Sequence, residues 1–171
     1  YTDKLYLQKC DGEEVIWSTE MTENQNGVNG CTAVTGGVIV FGEKYENYHF
    51  KYAWIEKYDE NGNFVWRRKL NYDLDKVYVS EILEDDDGSY VVISRGDSTT
   101  LCFSRYSPDG DELYVHKTEM GKYGIWKSAH LGDGYVIQLG SHASTPDGEY
   151  SKIAMLDHDG NITDTFSYDS D

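Results

Sequence analysis

Apolar residues in this chain fall in short runs closed by glycine and acidic residues, not at the three-to-four spacing of an amphipathic helix. Three runs stand out: Gly36-Gly37-Val38-Ile39-Val40-Phe41-Gly42, Asp87-Gly88-Ser89-Tyr90-Val91-Val92-Ile93-Ser94 and Asp133-Gly134-Tyr135-Val136-Ile137-Gln138-Leu139-Gly140. Runs of this length between turn residues predict strands buried on both faces. A shorter strand is predicted before each, at 31–35, 77–83 and 125–131. A third strand follows at 53–58, 101–106 or 152–156, and a fourth at 63–69, 112–117 or 161–167. With the strands named A to D in order, a first hairpin at 5–10 and 14–20 is a C–D pair without its own A and B.

The C–D turns share a signature. It reads Lys9-Cys10-Asp11-Gly12, Lys57-Tyr58-Asp59-Glu60-Asn61-Gly62, Arg105-Tyr106-Ser107-Pro108-Asp109-Gly110 and Met155-Leu156-Asp157-His158-Asp159-Gly160, with the glycines 50, 48 and 50 residues apart. Self-similarity at that period predicts an array of equivalent units. Asp accepts hydrogen bonds from amides of its own turn, and Gly supplies the positive φ that closes it. The chain therefore reads as one repeat domain over 1–171, with an orphan C–D hairpin at 1–20 and full units at 29–70, 76–118 and 124–168.

The segment Asp59-Glu60-Asn61-Gly62-Asn63-Phe64-Val65-Trp66 resembles the Asp-box of β-propeller blades, where an Asp turn and a Gly precede an aromatic on the last strand. Ser107-Pro108-Asp109-Gly110 with Tyr114 is a looser copy, and Asp11-Gly12 with Trp17 is looser still. The fourth turn carries Asp164 where the aromatic is expected. The resemblance implies an all-β fold, a partial β-propeller of about three and a half four-stranded antiparallel blades. Because the strand pattern opens on an orphan C–D pair and closes after a D strand, the chain is expected to be a fragment of a longer propeller. The resemblance implies no activity, because such turns are structural devices far from the ligand face.

Composition adds to this picture. Aromatic content is 14%, with 15 Tyr and 4 Trp, and 17 Gly against 2 Pro fit a strand-and-turn protein. The net charge of -16 argues against nucleic acid and anionic membranes as partners, since phosphate contacts need Lys and Arg. No apolar run is long enough to insert in a membrane. Cys10, Cys31 and Cys102 form no CxxC motif; a Cys10–Cys31 disulfide is conceivable and Cys102 reads as a buried apolar residue. The expected location is extracellular or on a bacterial cell surface.

Candidate chemistry is sparse. Asp59-x-Asn61-Gly62-Asn63 and Asp157-x-Asp159-Gly160-Asn161 echo half a calcium loop, but the position eleven residues on is Leu70 or Tyr168, not Glu. His49, His116, His130, His142 and His158 show no zinc spacing, and no GxSxG or phosphate loop occurs. No metal, cofactor or catalytic residue is expected. Arg67, Arg68 and Arg105 lie on or beside C–D hairpins, and they are not expected to form a carboxylate-binding cluster. Arg95-Gly96-Asp97 reads as an ordinary turn.

The functional hint is aromatic. The B–C loop expected at 43–52 carries Tyr45, Tyr48, His49, Phe50 and Tyr52. Trp126 opens an A strand, and a second B–C loop at 141–150 adds His142 and Tyr150. In propellers, B–C and D–A loops share the face that binds, and exposed Tyr and Trp suit sugars or peptides. Tyr45, Tyr48, His49, Trp126 and His142 are the expected ligand-binding residues. The expected function is a non-enzymatic binding or scaffolding module for a protein or glycan, with self-association through exposed sheet edges. The alternatives are a fragment of a glycan-cleaving propeller enzyme and a purely structural spacer.

Overall fold

A computed structural model describes residues 4–21, 27–97, 99–121, 123–140 and 151–168. Fourteen strands and no helix occur among them. The chain divides into two compact units, Tyr1–Asn71 and Tyr72–Asp171.

The first unit holds a two-stranded sheet and a four-stranded one. Strands β1 (Tyr6–Asp11) and β2 (Glu14–Glu20) form the hairpin. Strands β3 (Gly27–Val34), β4 (Gly37–Glu46), β5 (His49–Asp59) and β6 (Phe64–Leu70) follow as an antiparallel meander in sequence order. The second unit holds two more such meanders. One is β7 (Val77–Glu84), β8 (Tyr90–Gly96), β9 (Thr100–Tyr106) and β10 (Glu112–Glu119). The other is β11 (Gly124–Leu131), β12 (Gly134–Gly140), β13 (Ser151–Leu156) and β14 (Ile162–Tyr168). The chain is thus all-β, and a two-stranded sheet followed by three four-stranded antiparallel sheets is consistent with a partial propeller-like arrangement.

The inner strands carry the core, as their apolar runs require. In the first unit Val40, Trp54 and Tyr58 cluster with Met21, and Leu7 of the hairpin packs against them. In the second, Val91, Ile93, Leu101 and Phe103 meet Tyr135, Ile137, Leu139 and Leu156, so one core binds two sheets.

The turns that close these sheets share one backbone geometry. Gly62, Gly110 and Gly160 take φ of 78°, 82° and 85°. Their amides donate to the carbonyls of Asp59, Ser107 and Asp157 at 3.0, 2.8 and 3.1 Å. Asp59 Oδ1 accepts the amides of Asn61 and Asn63 at 2.9 and 2.8 Å, and Asp157 Oδ1 those of Asp159 and Asn161 at 3.0 and 2.8 Å. The A–B turn at Asp85 is built alike, with Gly88 donating to the Asp85 carbonyl at 2.9 Å.

Each fourth strand carries a bulge just past its turn. The extra residues are Ile16, Val65, Leu113 and Thr163, all exposed. A bulge strengthens the local twist and re-aims the next side chain. That next residue is Trp17, Trp66, Tyr114 or Asp164. Trp17 Nε1 donates to the Glu60 carbonyl at 2.8 Å, and a Cβ on Gly62 would lie 2.6 Å from its ring. Tyr114 Oη donates to the His158 carbonyl at 3.1 Å. In both cases the aromatic locks its own sheet to the C–D turn of the next. Trp66 is 6% exposed.

One expectation is corrected. The B–C loop expected at 43–52 is a hairpin: β4 runs to Glu46 and β5 starts at His49, with Glu46 opposite His49 and Tyr45 opposite Phe50. Tyr and Phe favour the extended, half-buried backbone, so the strands extend to the tip.

Candidate functional site

Only residues 47 and 48 separate β4 from β5, and the turn leaves both at positive φ, 51° for Asn47 and 64° for Tyr48. Such a two-residue turn matches the twist of a hairpin but favours Asn-Gly, because both positions are left-handed. A bulky aromatic there is strained by about 1 kcal/mol or more. Tyr48 is also 101% exposed, so it gives nothing back by packing. Below the tip, Tyr45 and Phe50 meet edge to face at 6.0 Å, and Glu46 pairs with Lys51 at 3.5 Å on the surface.

The base of the hairpin is fixed from β3. Asn29 is the extra residue of a bulge there, and its Nδ2 donates to Glu43 Oε1 at 2.5 Å. Glu43 is buried, and burial pushes its carboxyl above the usual range, against the pull of the Asn29 bond. Trp126 holds the corresponding bulge in β11 and lies over Gly140, where a Cβ would stand 2.2 Å from the indole. Its position is therefore on a strand, with the residue 46% exposed.

Of the expected site residues, Tyr45, Tyr48 and His49 share one hairpin. Trp126 belongs to the second unit. His142 and Tyr150 lie outside the described residues.

A buried cluster that sequence reading did not assemble sits in the second unit. The Arg105 guanidinium on β9 has a side chain only 6% exposed. It donates to Asp85 Oδ2, to Tyr135 Oη at 2.8 Å and to His158 Nε2 at 2.7 Å. Tyr135 in turn donates to Asp85 at 2.8 Å; its phenol is pushed up by burial and by that carboxylate. His130 Nε2 reaches the Glu84 carbonyl at 3.0 Å. A recess of about 600 Å³ opens beside Asp85, His130, Tyr135 and His158. Arg105 thus ties one sheet's C strand to the other's turn. Equivalence of the turns held the clue: Asp85 opens an A–B turn and His158 lies in a C–D turn, which fall at one end of neighbouring sheets.

The acidic turns have little left for a cation. Both Asp59 oxygens are engaged, Oδ1 by two amides and Oδ2 by Asn63 Nδ2 at 2.9 Å. Among the described residues no group of three or more His, Cys, Asp or Glu could hold a metal ion. The tripeptide Arg95-Gly96-Asp97 is built into a strand end: Arg95 lies 5.2 Å from the Tyr78 ring, and Asp97 Oδ1 accepts the Lys76 amide at 3.1 Å. Cys10 and Cys31 are free and exposed.

No protein-family model matches this chain, and no curated protein does. Solved structures do match. One is a protein of unknown function from Bacteroides caccae, with a TM-score of 0.61 at 12% identity, covering 95% of this chain. This chain spans 53% of that protein's length. The likeness concerns the fold alone.

Proposed function

We propose that this chain is a non-enzymatic binding module of a secreted or cell-surface protein, built from propeller-type repeats with Asp-box-like turns. It engages a protein or glycan through the tip of the β4–β5 hairpin. The observation that supports this reading is Tyr48. A strained, wholly exposed aromatic makes no sense as packing, and strain kept at an exposed position points to contact with a ligand. The short turn and the Tyr45–Phe50 pair hold the tip stiff, which lowers the ordering cost of binding. The acidic surface favours neutral or cationic ligands.

The test sets stability against binding. Tyr48→Gly relieves the left-handed strain and is expected to raise stability by about 0.5–1 kcal/mol in urea. The same change is expected to remove binding of the intact chain to a printed glycan array or a displayed-peptide library. Unchanged binding, or a variant less stable than the parent, overturns the role of Tyr48. Release of reducing ends from a bound glycan would instead favour the enzyme-fragment alternative.

A further inference from the structure

The first unit carries a second recess, of about 340 Å³, where the β1–β2 hairpin meets the face of β3 and β4. Its floor is Leu7, Val34 and Val38, its flank is Trp17, and Lys9 and Glu60 stand at its rim. We infer that this recess binds one pyranose ring of a neutral saccharide, at a site separate from the β4–β5 tip.

Four observations lead there. The recess is fixed in advance. Trp17 is held by its hydrogen bond to the Glu60 carbonyl and backed by Gly62, and Thr19 Oγ1 donates to the Gly62 carbonyl at 2.7 Å. Two such clamps hold the hairpin against the C–D turn, so a ligand need not order the walls. The lining is amphipathic. An indole beside aliphatic residues matches the C–H face of a sugar ring, while hydroxyls need a few placed polar groups. Lys9 and Glu60 supply these, since neither side chain makes a hydrogen bond or ion pair among the described residues. The charge of the lining opposes an anion. Lys9 is the one cation there against the carboxylates of Asp59 and Glu60, and Asp59 keeps its charge while spending its oxygens within its own turn. A neutral polyol can bond the polar groups left at the rim without adding a charge that the lining repels. The volume, near the lower end of the ~300–1,000 Å³ of ligand pockets, suits a single ring.

Cys31 lines the recess and reports on its occupancy. Cys102 is fully buried, and burial pushes its thiol up to about 11, so it is a poor competitor for alkylation. In the Cys10→Ser chain, iodoacetamide therefore reads Cys31. The probes are a panel of neutral methyl glycosides with indole as the apolar control. Saturable slowing of alkylation by at least one glycoside is expected, with half-effect near ~1 mM, as for a single weakly held ring. Lys9→Met and Glu60→Gln, which change exposed side chains and leave the backbone carbonyl that Trp17 bonds in place, are each expected to weaken that protection about tenfold. Tyr48→Gly is expected to leave it unchanged, which separates this site from the hairpin tip. Protection by indole alone, by no probe at all, or to the same degree in both rim variants overturns the assignment.

Discussion

At the scale of single residues, the acidic turns do mechanical work with charge. Asp59 and Asp157 are held below the usual carboxylate range, first by the side-chain bonds from Asn63 and Asn161, then by the backbone amides of the same residues. A carboxyl whose folded value is lowered stabilises the fold above its unfolded value and loses that contribution as pH falls through the folded one. The loss is therefore confined to acid, below about 3.9. Carboxyl ¹³C titration should show both residues titrating under that value, and Asn63→Ala should bring Asp59 back toward it while leaving Asp157 alone. An Asp59 that titrates normally in the parent chain would contradict the turn geometry. These turns were legible in the sequence because Asp and Gly at fixed offsets dictate a local hydrogen-bond pattern. Tyr48 was legible as an aromatic but not as a strained one. The offset that puts it second in a two-residue turn depends on how far β4 and β5 pair, and residue types alone do not set that length.

At the scale of elements, the bulge after each C–D turn explains why alternation counted along the fourth strand misleads. Val65 intervenes between Phe64, opposite Tyr58, and Trp66, opposite Lys57. Strict alternation from the turn would put Trp66 on the face of Phe64, which is exposed, whereas the structure buries Trp66. The four-to-five-residue spacing from the turn glycine to the aromatic carried the right answer because it already includes the bulge. Trp66→Ala should cost about 3–5 kcal/mol in a denaturant titration, as for other buried aromatics; a loss under about 1 kcal/mol would place the ring at the surface. Arg105 is the counterpart between sheets. Replacing it with Met leaves Asp85, whose side chain is 9% exposed, without its cation. That should cost about 3–5 kcal/mol, and adding Asp85→Asn should recover part of it. If the double variant is no more stable than Arg105→Met, the two residues do not act as a pair. The pairing was hidden in the sequence because its partners lie 20, 30 and 53 positions apart, on strands whose packing only the folded sheets define.

At the scale of the whole molecule, the array of sheets was legible and the sites were not. A recurring turn at near-constant spacing fixes strand order, since short connections force neighbours to pair. A recess such as the one beside Trp17 depends on where a hairpin settles against a sheet, and no local pattern encodes that. The bulges also govern what happens at the margins of the sheets. The first strand of each four-stranded sheet, β3, β7 or β11, carries one, and so does the last strand of every sheet. A bulged margin is a poor template for further strands. Among the described strands that leaves β1, whose bulge lies on its partner β2, as the one uninterrupted margin. Edge-to-edge growth of the kind that builds a cross-β fibril is thereby discouraged at seven of the eight described sheet margins.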